Sequence, residues 1–440
     1  MLAGAFYTLG LYRLTTMYRR AAIGEILGIA FLPLLFWGMY ELLAGDKKKW
    51  WIAVLGWTSV LQSHVLTAEI ALVFSILFLL VDIKKILCEG RWKNILMAAV
   101  LTVLLNAFFI VPFIQYFVSC DFLVFHMEPD DFARSAVYFS QMFSVFVDNN
   151  GVELPLGTTA GEMPCSIGII TLITLTGYVI LRINIKSRLY KAGDRMFLLA
   201  VFILLAASDL CPWGALHHFP VLYKIVSSVQ FLFRLFSPAY FFITAIFVID
   251  LYVLKDYVKE PVLVLLSLML ILGNCWYYID STVQTKDVLS EEETEQVLSI
   301  DALYLYNAFS SFEKLYARGD TIRIVPAKSG LSVGEYVKRG SYMEFEVFSS
   351  EGSSADLEIP LYYYPTYRAQ LNDEKLEIEQ GTDGVIRIKN VSHSGMIKVW
   401  FPELPLWLAA DITSFCTALI CFMIIVKDKV YGLGRKNICR

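Results

Sequence analysis

The segment from Ile23 to Leu43 is an unbroken run of mostly apolar side chains, about the twenty residues that a membrane-crossing helix requires. Arg13, Arg19 and Arg20 lead into it, and Glu25 sits in its first turns. An ionised carboxylate at the end of such a span is costly to place in lipid, so it marks a site or a buried pair. The opening residues, MLAGAFYTLGL, read as the last turns of an earlier span, with neither a charged leader nor an A-x-A cleavage signal.

The same pattern recurs along the 440 residues. The chain is 57% hydrophobic and 18% charged, with a mean hydropathy of +0.58, which is the composition of a polytopic membrane protein. Candidate spans lie near 21–44, 50–63, 65–82, 94–119, 165–184, 195–209, 228–252, 261–279 and 404–427. Lysine and arginine collect in alternate connections: Lys47 to Lys49, then Lys84, Lys85, Arg91 and Lys93, then Arg182 to Arg195, then Lys255 and Lys259, then the tail 428–440. The positive-inside bias places these groups in the cytoplasm, the N-terminus outside and the C-terminus inside, which requires an odd count of about nine spans. The weakest is 50–63, about 21 Å long as a helix. The net charge of −4 and the scatter of basic residues over short loops give no footprint for nucleic acid.

Two segments break the span pattern and fall outside. In the loop 120–164, Asp131 to Val147 suits an interfacial amphipathic helix, and NNGVELPLGTTAGEMP reads as loop. Residues 280–402 hold twenty Asp/Glu against twelve Lys/Arg and show strand alternation. Met343, Phe345 and Val347 alternate, as do Leu357, Ile359 and Leu361, then Ile386 and Ile388, then Ile397, Val399 and Phe401. With turn signals at Asn372-Asp373 and Asp383-Gly384, this predicts a small extracytoplasmic β-sandwich after a helical linker near 290–317.

Under this topology Glu25, His64, Glu69, Asp209 and Arg234 all fall at the outer leaflet, from five segments. Independent snorkelling of each is the plain reading, and a shared outward-facing polar cavity is the sharper one. Arginines there suit a phosphate through bidentate hydrogen bonds. Glu25 is expected to pair with Arg19, Arg20 or Arg234, because a lone charge would not stay ionised. No metal or cofactor is expected: the five histidines form no zinc pattern, and there is no P-loop, Rossmann or G-x-S-x-G motif. Cys120 and Cys165 bracket the outer loop, where unpaired apolar thiols are favoured over a disulfide. Tyr362, Tyr363, Tyr364 and Tyr367 are candidates for stacking on sugar rings, with aromatic core packing as the commoner fate.

YRLTTMYRRAAIGEILGIAFLPL resembles the "P-Y-R-hydroxyl-x-x-Y-x-R-x-x-x-x-E" segment of bacterial membrane proteins named "6-pyruvoyl-tetrahydropterin synthase-related". LQSHVLTAEIAL is similar to their short span ending in Ser-His, and SSVQFLFRLF to their Q-F-P-W-R-F segment. IPLYYYPTYRAQLNDEKLEI resembles the Y-Y-P-G-W-x-A-x-x-D-G-K hairpin of the YfhO-like family. The resemblance implies an α-helical polytopic fold of GT-C glycosyltransferase type with a β-sandwich. It also implies a polyprenyl-phosphate-linked sugar donor, a cell-envelope glycan acceptor and a bacterial plasma-membrane location. It carries over Arg13, Tyr18, Arg20, Glu25, Ser63, His64, Gln230 and Arg234, to which Arg19 and Glu69 add as neighbouring polar groups. Leu232-Phe233 stand where Pro-Trp is usual, and Thr366-Tyr367 where Gly-Trp is. Such enzymes keep their catalytic aspartate in an outer loop after a first span, and this chain starts later, so it is expected to lack that part and to transfer little. Glu25 is then the one in-span candidate for a general base. The rival expectation is a non-catalytic lipid-linked glycan transporter or assembly partner.

Overall fold

The structure, a computed structural model, describes residues 1–120, 122, 135–139, 141–145, 165–284, 321–326, 330–350 and 352–438. The chain divides into two compact units. Met1–Asn106, Glu128–Asp287 and Cys416–Arg440 form the first, and Ala107–Met127 with Val288–Phe415 the second.

The first unit is helical: α1 (Leu2–Thr8), α2 (Leu11–Tyr18), α3 (Ile23–Leu43), α4 (Trp50–Ser63), α5 (Val65–Val81), α6 (Ile83–Cys88) and α7 (Trp92–Leu105). After α8 (Ala107–Ser119), which belongs to the second unit, come α9 (Ile169–Asn184), α10 (Tyr190–Ala207), α11 (Pro220–Ser227), α12 (Phe236–Leu254) and α13 (Glu260–Gln284). The apolar faces meet as interlocked rings: Phe6 stacks on Phe247 at 4.4 Å, and Phe36 on Phe241 at 4.6 Å. Glycines bring α3 and α4 together at backbone range. A Cβ on Gly38 would fall 2.4 Å from the Ala53 backbone, and one on Gly56 2.5 Å from Leu35 Cα. Small residues at such a contact let two apolar helices gain dispersion over their whole length, the usual basis of helix pairing without a water-driven force.

Among the described residues, four helices are long and apolar enough to cross a membrane: Ile23–Leu43, Leu232–Leu254, Glu260–Asp280 and Pro405–Lys427. A fifth is added if α7 and α8, broken at Asn106, count as one. The expected spans 50–63 and 65–82 are the helices Trp50–Ser63 and Val65–Val81, at 14 and 17 residues shorter than a full bilayer crossing. The interfacial helix expected over 131–147 is not what its described residues form. Val137 makes a parallel bridge to Ser208, its amide donating to Ala207 O at 2.9 Å while its carbonyl accepts from the Asp209 amide at 3.0 Å. The end of α10 thus offers that segment backbone partners that outcompete helix formation. The linker near 290–317 and the NNGVELPLGTTAGEMP loop lie outside the described residues. Neither Cys120 nor Cys165 is in a disulfide.

The second unit is a two-sheet antiparallel sandwich with helices attached. One sheet has the order β1-β4-β8-β7 and the other β2-β3-β9-β5-β6. In chain order these strands are Arg323–Val325, Leu331–Arg339, Tyr342–Ser349, Ala355–Tyr362, Arg368–Leu371, Glu374–Leu376, Ile378–Gln380, Val385–Val391 and Gly395–Trp400. The alternation read from sequence is the core: Met343 pairs with Val399, Phe345 with Ile397, Leu357 with Ile388 and Ile359 with Ile386, all essentially inaccessible. The β5–β6 hairpin turns at Asn372-Asp373, with Asn372 at φ +51°, a left-handed geometry that asparagine tolerates. α8 and the start of α14 (Pro405–Ile438) group with the sandwich rather than with the other helices. The Tyr116 hydroxyl donates to Thr366 Oγ1 at 2.5 Å, and Trp407 Nε1 donates to Gln115 Oε1 at 2.8 Å.

Candidate functional site

Glu25 is where the charges converge. It lies in the first turn of α3 and is 1% exposed. α3 can approach the α4–α5 turn there because the preceding residue is Gly24, where a Cβ would fall 2.7 Å from the Ser63 carbonyl oxygen. Two segments bring partners to the carboxylate. From α2 and the turn after it, the Tyr12 hydroxyl donates to Oε1 and Arg20 Nη1 donates to Oε2 at 2.7 Å. From the 3₁₀ turn Leu232–Leu235 ahead of α12, Arg234 Nε lies 3.6 Å from the same Oε2. Arg234 is fixed by its Nη1, which donates to Val229 O at 2.8 Å and to Gln230 Oε1 at 2.7 Å. Gln230 takes φ +68°, the left-handed region, as the chain turns from α11 into that 3₁₀ segment.

Aromatic rings back the guanidiniums. The Arg20 Cζ stands 4.9 Å from the Phe233 ring centroid and the Arg234 Cζ 5.1 Å from that of Phe231. The two rings stack on each other at 5.1 Å. Such contacts hold a cation at low entropic cost and keep water off one face. Burial, with the Glu25 charge adding to it, raises the Tyr12 phenol well above its ordinary range, so it stays a donor.

His64 flanks the group as the N-cap of α5. Its Nδ1 accepts from the Thr67 amide at 3.2 Å and contacts Thr67 Oγ1 at 2.8 Å, so the neutral ring carries its proton on Nε2. Burial lowers its pKa; the Glu25 charge acts the other way, and Arg234 and Arg20 add to the lowering. A histidine in this setting is neutral at pH 7.

Of the residues singled out from sequence, Arg20, Glu25, His64, Gln230 and Arg234 come together. Ser63 contributes its carbonyl at the Gly24 approach, while its hydroxyl donates to Ser59 O at 2.6 Å. Glu69 stands beside the group, accepting from the Ser228 hydroxyl and tying down the segment that leads to Gln230. Others do not join. Arg13 lies over Tyr7 at 5.9 Å, Tyr18 is 58% exposed, and Asp209 Oδ1 accepts from the Phe139 amide at 3.0 Å, a loop contact. The buried nitrogen of Arg19 is not directed at Glu25 in any ion pair among the described residues. In the sandwich, Tyr367 is 6% exposed and packs edge-on against Phe401, and Tyr364 meets Tyr116 edge-on. Tyr363 packs against the sandwich core, so among the four tyrosines Tyr362, at 40% exposed, keeps the most open ring. Tyr12 and the Phe231–Phe233 pair were not singled out. The signal for Tyr12 is its place beside Arg13, about two helical turns before Arg19 and Arg20, and only the α2–α3 turn folds it onto Glu25. No group of three or more His, Cys, Asp or Glu side chains with metal-holding geometry occurs among the described residues.

The chain matches no family model, no curated protein and no solved structure.

Proposed function

We propose that this is a bacterial plasma-membrane protein of about nine spans and GT-C-like architecture, with its β-domain outside the cell. In this reading it belongs with the "6-pyruvoyl-tetrahydropterin synthase-related" and YfhO-like proteins it resembles. It engages a polyprenyl-phosphate-linked sugar in the glycosylation of cell-envelope polysaccharide or teichoic acid. The observation that carries the reading is the convergence of two guanidiniums, Arg20 and Arg234, on the Glu25 carboxylate, with all three side chains nearly buried. Two planar arginine forks brought to one place suit phosphate oxygens.

A second reading, a non-catalytic transporter or assembly partner for lipid-linked glycans, draws on the state of Glu25. Both its oxygens already accept hydrogen bonds, so it holds two arginines in place rather than standing ready to take a proton from an acceptor hydroxyl. The experiment is to reconstitute the full chain with labelled polyprenyl-phosphate sugars and crude envelope acceptor. Binding of the lipid that falls at least about tenfold in Arg234→Gln supports the anion site. Transfer that vanishes in Glu25→Gln makes Glu25 the base and removes the second reading. Absence of binding in the intact chain sinks both.

A further inference from the structure

We infer that Asp250 and the Tyr190 hydroxyl form a second site in the helical unit, one that binds a single small monovalent cation, either a proton or an alkali ion. It does not rest on the anion-binding reading given above. Asp250 lies about 24 Å beyond Arg234 along the helical segment Leu232–Leu254, at the end that leads into Lys255.

Asp250 sits in the last two turns of α12 and is 6% exposed. Helical spacing puts it on the face of Ile243, Ile246 and Phe247, all members of the apolar core. α10 packs against α12 and brings Tyr190, 1% exposed. Among the described residues, neither Asp250 Oδ1 nor the Tyr190 hydroxyl has a hydrogen-bond partner. Burial raises the Tyr190 phenol above its ordinary range and the Asp250 charge adds to the rise, so the two groups lie within electrostatic reach and the phenol keeps its proton.

The side chains that could have served Asp250 are committed elsewhere. Arg182 of α9 lies 5.5 Å from the Tyr190 ring centroid, but its fork is spent on Asp194, with Nε at 3.1 Å from Oδ1 and Nη2 at 3.4 Å from Oδ2. The Tyr178 hydroxyl also donates to Asp194 Oδ1, at 2.7 Å. Lys255 Nζ stands 3.4 Å from the ring centroid of the exposed Tyr252. Of the other helices packed on α12, α1 offers Tyr7, whose hydroxyl donates to Ile29 O, and α3 carries Glu41 at its far end, paired with Lys49. A carboxylate in an apolar core with neither donor nor counter-charge is among the costliest groups a helix bundle can hold, and such groups mark proton and ion sites. A bound cation supplies the charge that no side chain does. The phenol oxygen, with its lone pairs unused, is the second oxygen turned to that cation.

The full-length chain in nanodiscs is followed by infrared spectroscopy across pH. The first series uses N-methylglucammonium as the sole buffer cation, too bulky for a buried site, and the second adds sodium or potassium. A carboxylic-acid C=O signal that exchanges with a carboxylate signal is expected in the unaltered chain. It should be lost in Asp250→Asn and shifted in Tyr190→Phe, which removes one oxygen and leaves the charge. Asp250→Glu should move the signal without losing it, and it carries the test if Asp250→Asn fails to fold. A midpoint indifferent to sodium and potassium assigns the site to the proton. A midpoint that falls as either ion is added assigns it to an alkali ion competing with the proton. A signal unmoved by Tyr190→Phe overturns the shared site, and spectra that never differ between the unaltered chain and the Asp250 variants overturn cation binding altogether.

Discussion

Each unit of this protein buries a glutamate against arginine, and the two are built on different logic. Glu358 of β4 lies directly opposite Arg387 of β8 in the sheet register, so strand pairing alone delivers the partner. Arg387 Nη2 reaches Glu358 Oε1 at 2.6 Å, the Thr382 amide donates to the same oxygen at 2.7 Å, and the 24% exposed arginine also contacts Glu379 at 3.6 Å. Lys389 extends the chain of charges to Asp356 and Glu379. Glu25 has no such register. Its partners come from the α2–α3 turn and from the start of α12, brought together by helix packing and by the Gly24 contact. The sheet network shares two cations among three carboxylates, whereas the helical cluster gathers two arginines on Glu25. A pair that register supplies and water partly screens serves the fold. A cluster assembled across distant segments suits a site.

The largest effects should separate the two. Arg387→Ala leaves Glu358, 2% exposed, a buried carboxylate with Thr382 as its remaining donor, and should cost about 3 kcal/mol, the lower end for breaking a buried pair because Arg387 is partly solvated. Hydrogen exchange at the β4 and β8 amides measures this locally, which suits a chain of two units better than a single melting curve. Protection lost on α3 and α12 as well would mean that the two units do not unfold independently, and the comparison would break.

Gly24→Ala comes next. Its new Cβ would meet the Ser63 carbonyl at 2.7 Å, a backbone atom that cannot swing away, so α3 must shift from the α4–α5 turn. Overpacking of this kind costs about 1–3 kcal/mol. It should also move Glu25 relative to Arg234 and weaken isoprenyl-phosphate binding, whereas Gly334→Ala in the sandwich, where a Cβ would meet nothing closer than 3.7 Å, should leave binding unchanged. Equal binding in the two variants would show that the site tolerates displacement of α3 and is not held by that contact.

The two regions differ just as much in how far they could be read from sequence. The sandwich was legible because a period of two maps each apolar residue onto one face. Met343, Phe345, Val347, Ile386, Ile388, Ile397 and Val399 alternate along their segments and all lie in its core. The Asn372-Asp373 turn was legible for the same local reason, since asparagine is one of few residues that accept the backbone it adopts there. In the helical unit, apolar runs gave the helices, and α4 spans the very residues expected of it. Which polar residues meet was legible only in part. Loop charge put Glu25, His64 and Arg234 at one end of their spans, but Asp209, given the same placement, is taken up by the Phe139 amide. Arg13 went elsewhere too, to the Tyr7 ring. Periodicity encodes which face of an element is buried. It does not encode the azimuth of one helix against another, and that angle decides whether Arg13 or Tyr12 points at Glu25.

The smallest effect concerns acid, where the comparison becomes a difference in pH window. His64 has its pKa lowered by burial from an ordinary value near 6.5, so the folded state holds the neutral ring. As pH falls through 6.5 the unfolded chain binds a proton that the fold resists, and the stability of the helical unit declines from that point downward. For Glu358, burial alone would raise the pKa, but the Thr382 amide and Arg387 outweigh it and hold the carboxyl below its ordinary value near 4.5. Its contribution is present above 4.5 and is lost only as pH drops below that through the lower folded value. Acid should therefore loosen α3 and α5 before it loosens β4 and β8. Hydrogen exchange from pH 8 to pH 4 reads both windows in one series. His64→Gln should abolish the upper window and spare the lower, and Glu358→Gln should do the reverse. If β4 and β8 lose protection first, the sandwich pair is the more weakly held, and the contrast between a screened structural pair and a buried charged site is the wrong one.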